Sequence, residues 1–362
     1  MSNIMEYLKD KIYYILGGTI IFIIILIIIG ACSNRSSSSS YEQIENNMVS
    51  AAKRYYETRQ DRLPKEENGT IKVSVETLID EGLLKEIKNP SKKSSSCSGY
   101  VEVTNLGEEY AYTPFLECEG YESKKLTDVI RESKLDEYGN GVYNMDGELV
   151  YRGDSVKNFV SFNDQLWRII KVDKDGDIKL VLDKRTDNTY TWDSAYNSDK
   201  KDYVGITTDY LHTDMRKSLK DYYESNFTSE SKTKIKSKDL CIGKYYLEDE
   251  FSTQKECSII KSGEKVGLLV PTDYQKASLS DKCTTLSSPE CTNYNYLSYN
   301  SYINTWLLNT YEDNTYEVLY LSGGIDAGKA SSSKRINPVI YLSGNVATLD
   351  GSGSEEEPFT IK

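Results

Sequence analysis

Between Ile12 and Ala31 the chain carries 20 residues without a charge, half of them isoleucine. As a helix rising about 1.5 Å per residue, this run spans roughly 30 Å, the thickness of one hydrocarbon core. A cleaved secretory signal has a shorter apolar stretch, about 7–15 residues. Length therefore predicts a permanent transmembrane helix. Lys9 and Lys11 precede the run, partly offset by Glu6 and Asp10, and only Arg35 follows before the tract Ser36–Ser40. That bias puts the N-terminus in the cytoplasm and everything after the span outside the cell membrane. The expected layout begins with a cytoplasmic tail (1–11), a span in the lipid bilayer (12–31) and a flexible Ser-rich linker (32–41).

The junction Ile29-Gly30-Ala31-Cys32 resembles a bacterial lipobox, an aliphatic residue and two small ones before a cysteine. The resemblance implies lipidation at Cys32 as an alternative to a spanning anchor. Both readings leave the remaining chain outside, tethered.

Cysteine usage points to the same compartment. Besides Cys32, six cysteines fall in local couples: Cys97 with Cys118, Cys241 with Cys257, and Cys283 with Cys291. Six cysteines leave the connectivity open. Local pairing is preferred because each couple brackets a hairpin or loop, and closing a short loop stabilises by about 3 kcal/mol. Disulfides require an oxidising compartment. Zinc ligation wants CxxC-type spacing and usually histidine, and the chain has a single His. No metal and no cofactor are expected.

A formal net charge of −12 argues against a nucleic-acid partner, since phosphate binding needs clustered positive charge. The 362 residues suffice for two ordinary domains. The predicted class is α+β throughout. A small domain spans 42–122. It opens with a helix whose stripe runs through Ile44, Met48, Ala51 or Ala52 and Tyr55, stopped at Leu63-Pro64. A short helix over Val73–Ile87 follows, then two alternating segments around Asn105-Leu106-Gly107 that predict a hairpin closed by Cys97 and Cys118. This order resembles the headgroup of pilins and pseudopilins. It departs from that family in having no Glu within Ile12–Ala31.

Residues 123–146 read as a linker. The larger domain, 147–362, begins strand-rich, with Asp175-Gly176 turning a hairpin between WRIIKV and IKLVL. A helix is expected within Tyr210–Ile235, its stripe made by Leu211, Met215, Leu219 and Tyr222. A buried strand running into a short helix is expected over Val266–Ser278. Trp167-Arg168-Ile169-Ile170, Trp192-Asp193, Lys265 to Leu269, Tyr294 to Leu297, Trp306-Leu307-Leu308 and Ile336 to Tyr341 occur in an order similar to that of a family of uncharacterised bacterial surface proteins. The resemblance implies a C-type-lectin-like domain serving as a surface-exposed binding or structural module.

Candidate chemistry is sparse. Asp173, Asp175 and Asp177 mimic the start of a calcium loop, but such a loop needs Gly sixth and Glu twelfth, and Gly176 comes fourth. A hairpin turn is expected there. His212 has no partner histidine for a triad. Arg152-Gly153-Asp154 spells an adhesion tripeptide, of a length that recurs by chance. The segment Asn293–Tyr302 is the strongest recognition candidate, because Tyr, Ser and Asn make adaptable surfaces at low entropic cost. Tyr294, Asn295, Tyr296, Tyr299 and Tyr302 are its expected ligand-binding residues, for a glycan, cell-wall or protein ligand. No catalytic residue is assigned. The function expected is that of a non-enzymatic, membrane-anchored binding or adhesion module. The alternatives are a pilin-like subunit of a surface assembly and an extracytoplasmic enzyme on a fold shared with sulfatase-modifying factors.

Overall fold

A computed structural model describes residues 40–361 apart from 68, 108, 300, 349 and 350. The apolar run 12–31 and Cys32 lie outside the described residues. Among the described residues no helix is long and apolar enough to cross a membrane. The class is mixed α+β.

The described chain divides into two compact units. One gathers residues up to Lys65 with Thr70–Val103 and Pro114–Glu122; the other gathers Glu66–Gly69, Thr104–Thr113 and Ser123–Lys362.

The first unit opens with a helix over 40–57. Its buried face runs through Tyr41, Glu45, Met48, Ala51, Ala52, Tyr55 and Tyr56, the 3.6-residue period of a core-facing stripe. The expected Ile44 is only half-buried. Tyr41 is not linker: its ring stacks on Tyr121 with centroids 3.8 Å apart. The helix ends before Leu63-Pro64, in a 3-10 turn over Gln60–Arg62. The second helix is shorter than expected, Val75–Asp80. Ser74 caps it by accepting from the Thr77 amide, and Val73 belongs to the preceding strand Thr70–Ser74. It stops where Gly82 takes φ +69°, the left-handed conformation glycine adopts without strain. Strands Ser98–Asn105 and Tyr110–Cys118 form the expected hairpin within a four-stranded sheet. The hairpin's turn, counted with the second unit, is fixed by Gly107 donating its amide to Asn105 Oδ1 at 2.8 Å.

The second unit contains a seven-stranded sheet. Its strands run in the order Val339–Leu342, Ile178–Leu182, Gln165–Val172, Glu148–Arg152, Gly141–Met145; Phe159–Phe162 also pairs with Gln165–Val172. Phe359–Thr360 lies parallel to Val160–Ser161. The Asp175-Gly176 turn joins two antiparallel strands as expected. A second sheet joins Lys244–Tyr245, Thr305–Tyr311, Glu317–Leu321 and Ile325–Lys329. The three tryptophans, Trp167, Trp192 and Trp306, are all buried in one apolar cluster.

Three expectations need correction here. The 123–146 stretch is not a free linker. Its helix Leu126–Glu132 buries Leu126 and Ile130 in the core cluster, and Lys124–Lys125 pairs with Ala347–Thr348. The long helix spans only Asp214–Asn226, capped by Thr213, so Leu211 falls in the preceding turn and is exposed while Met215, Leu219 and Tyr222 are buried. Residues 266–270 are buried but form a single bridge, Gly267 to Val339, in place of a strand. The helix Pro271–Ala277 then starts with proline at its first turn, the position that needs no amide donor.

Candidate functional site

The five residues expected to recognise a ligand do not share a surface. Asn295, Tyr296 and Tyr302 are at most 1% exposed, whereas Tyr294 and Tyr299 are 62% and 49% exposed. Asn295 serves the backbone. Its Nδ2 donates to the carbonyls of Tyr274 and Cys291, and its Oδ1 accepts from the Leu297 amide. Tyr296 packs beneath the Arg168 guanidinium, 4.8 Å from its ring centroid. Assignment of these three to ligand contact is therefore wrong, because the chain folds them inward as polar and aromatic core.

Of the exposed pair, Tyr299 belongs to a hydrogen-bonded surface sector. The Tyr299 hydroxyl donates to the Asp154 carbonyl at 2.9 Å. The amide of Asp154 donates to Asn140 Oδ1 at 3.0 Å. Asp136 in turn accepts from the amides of Tyr138 and Asn140, fixing a tight turn that leaves Tyr138 78% exposed. Hydrogen bonding to Asn140 holds the Asp136 carboxyl below the usual range. The adhesion tripeptide is part of this scaffold. Arg152 donates through Nε and Nη2 to the Ser278 carbonyl, at 3.1 and 2.6 Å, and lies over the Tyr143 ring. Gly153 takes φ +120°, and a Cβ there would stand 2.0 Å from Asn140 Oδ1, so only glycine fits. The guanidinium is committed to its own fold.

A second arrangement was not legible in the sequence. Lys171, Lys179 and Tyr341 stand side by side across three strands, with Lys179 opposite both of the others. Two like charges directly opposite are destabilising in a sheet, and the structure neutralises each separately. Lys171 bonds Glu148 at 2.5 Å, a carboxylate also bonded by Lys276 at 2.8 Å. Burial would lift Glu148, but the two ammonium groups outweigh it and hold the carboxyl below its usual range. Lys179 bonds Asp273 Oδ2 at 2.6 Å, with the side chains 5% and 3% exposed.

Asp273 sits in the first turn of Pro271–Ala277, its Oδ2 also accepting from the Val270 amide. Beside it Glu256 accepts from the amide and the hydroxyl of Thr272, at 2.9 and 2.7 Å. Glu256 is 3% exposed. Burial, reinforced by the Asp273 charge, pushes its carboxyl up to about 7. A cavity of about 100 Å³ lies against Lys179, Glu256 and Thr272, walled on one side by Cys241 and Cys257. Shifted carboxyls and paired ammonium groups around one cavity mark a candidate functional site.

The aspartates of the 173–177 turn are drawn together around a lysine. Their carboxylate oxygens lie within 4.8 Å of one another. Lys238 Nζ stands 2.9 Å from Asp173, 3.0 Å from Asp175 and 2.7 Å from Asp177. The ammonium takes the place where a cation would lie, and Asp173 Oδ1 accepts the amides of Asp175 and Asp177 to close the turn. His212 is exposed, with Nδ1 2.5 Å from Asp209.

Cys97–Cys118, Cys241–Cys257 and Cys283–Cys291 are disulfides, with sequence separations of 21, 16 and 8. No family model, curated protein or solved structure matches this chain.

Proposed function

We propose that this chain is an extracytoplasmic, non-enzymatic binding module, held at the membrane by residues 12–31 or through a lipid on Cys32. The observation that carries the reading is the set of three short-range disulfides, which persist only in an oxidising compartment. The charge-free run before them supplies the tether, and the serine tract supplies reach.

Binding is assigned to the sector around Tyr138, Tyr294 and Tyr299. Exposed tyrosines on a hydrogen-bonded scaffold offer large contact area with little ordering cost. A C-type-lectin-like architecture for the second unit and a pilin-like one for the first belong to this same proposal, and rest on sequence resemblance. The cysteines needed for chemistry of the sulfatase-modifying type are all consumed in disulfides among the described residues, which favours binding over catalysis.

Protease treatment of intact cells, followed by non-reducing peptide mapping, tests the placement. The expected result is release of peptides from residues beyond 41 with the three cystines intact. Protection of those peptides in unbroken cells, or free alkylatable thiols, would overturn it. Glycan-array and cell-wall pull-down assays with the full chain in detergent test the ligand class.

A further inference from the structure

We propose that Lys179 and Asp273 condense to an intramolecular isopeptide bond, with Glu256 as the neighbouring acid–base group. The bond does not depend on the binding role proposed above.

Among the described ion pairs, this one alone has both side chains at or below 5% exposure. The other lysine–carboxylate contacts of the sheet face are wetter: Lys171 and Glu148 are 18% and 12% exposed, and Lys238 and Asp177 are 16% and 10%. A charge pair held away from water bears a desolvation penalty. Converting it to a neutral amide removes both charges from the interior.

The geometry is fixed from both sides. Lys179 is locked in the strand Ile178–Leu182 between Lys171 and Tyr341. Asp273 is held in its helix turn by the Val270 amide. With Nζ 2.6 Å from Oδ2, the nitrogen stands near the attack distance of about 3–3.5 Å from the carboxyl carbon. Such fixed neighbours reach effective molarities on the order of 10⁵ M or more, which favours condensation over the hydrolysis that bulk water drives.

Atoms and charges balance without a co-reactant. The ammonium of Lys179 and the carboxylate of Asp273 become one amide and one water. The new bond is Nζ to Cγ, and the bond broken is Cγ to one carboxylate oxygen. Of the three ammonium protons, one stays on the amide and two leave with that oxygen. Glu256, which makes no direct ion pair with Lys179, exchanges these protons with Nζ and the departing oxygen through a water in the adjoining cavity. It is anchored by Thr272, the residue immediately before Asp273. Its carboxyl, pushed up to about 7 by burial and by Asp273, is part protonated near neutral pH, the condition for efficient proton exchange. The adjoining cavity of about 100 Å³ has room for the released water.

The test is a peptide map of the full chain, reduced and digested with trypsin. The expected product joins peptide 175–184, uncut after Lys179, to peptide 266–276, lighter than their sum by one water and resistant to reductant. In Glu256→Gln the cross-linked species is expected to disappear, while the cystine map and circular dichroism of the parent are kept. Lys179→Met and Asp273→Ala must also abolish it. Recovery of separate linear peptides cut after Lys179 from the folded parent would overturn the proposal and leave an ordinary buried ion pair. That outcome needs no variant to fold. A cross-link that survives in Glu256→Gln would remove the acid–base role.

Discussion

Lys238 Nζ lies 2.7 Å from a carboxylate oxygen of Asp177, and the same ammonium also bonds Asp173 and Asp175. Three acids share one cation. Burial works against the charged lysine, but Asp177 and Asp173 outweigh it, so its pKa rises above the ordinary value. Burial also raises Asp177, and a shared ammonium offsets that only in part. The two shifts thus follow from one stoichiometry.

Lys238→Met leaves the half-buried Asp173 and the buried Asp177 carboxylates facing each other. The expected cost is roughly 3 kcal/mol, as for removal of one partner from a buried pair. Thermal unfolding should show it. Calcium should restore part of the melting temperature in the variant and leave the parent unchanged, because hard cations take clustered carboxylate oxygens.

Tyr294→Ala and Tyr299→Ala should weaken binding to cells or cell wall with changes in stability within about 0.5 kcal/mol, as for surface substitutions. Tyr296→Ala, at a fully buried ring, should instead destabilise by about 3 kcal/mol or more. Tyr302→Phe should leave binding intact and stability equal or higher by up to about 1 kcal/mol. Its buried hydroxyl has no hydrogen-bond partner among the described residues, so removing it avoids a desolvation cost. Pull-down and denaturant titration of the same variants separate the two effects.

Glu256 gives stability a defined pH dependence. With Lys179 and Asp273 uncondensed, its carboxyl titrates at about 7 when folded, against 4.5 for an unperturbed glutamate. Between these values the native state keeps a proton that the unfolded chain gives up. The contribution is therefore full below about pH 4.5, falls as pH rises to about 7, and is constant above. At about 1.4 kcal/mol per pKa unit the loss is on the order of 3 kcal/mol. Denaturation of the parent and of Glu256→Gln from pH 4.5 to 8 should show this downward component only in the parent.

Paired Cys→Ser replacement at Cys97 and Cys118 should cost about 3 kcal/mol, by restoring freedom to the unfolded chain. The Cys283 and Cys291 pair, at a separation of 8 against 21, should cost about 0.9 kcal/mol less by the same loop-length relation. Chemical denaturation under non-reducing conditions measures both.

The parts legible in the sequence were those written in neighbouring residues. Local cysteine couples, the Asp175-Gly176 turn and the Met215–Leu219–Tyr222 stripe each declare themselves within a couple of dozen positions. The Asn–Tyr segment misled because alternating amides and aromatics suit a recognition loop and a polar core equally, and only Asn295's backbone contacts decide between them. The 123–146 stretch reads as a linker because its attachment is divided among short pieces: Leu126 and Ile130, the Lys124–Lys125 pairing and the strand Gly141–Met145. The Lys179–Asp273–Glu256 constellation gave no signal, since 94 positions separate its lysine from its aspartate. Lys179 sits in an otherwise apolar strand, where a charge suggests an outward face.

The parallel seat of Phe359–Thr360 beside Val160–Ser161 has a bearing on biogenesis. Strand Phe159–Phe162 emerges together with one neighbour, Gln165–Val172, but long before the other, Phe359–Thr360. Until then the sheet keeps an open hydrogen-bonding margin, the kind of edge that recruits foreign strands. A folding chain would need that margin shielded until Phe359–Thr360 arrives.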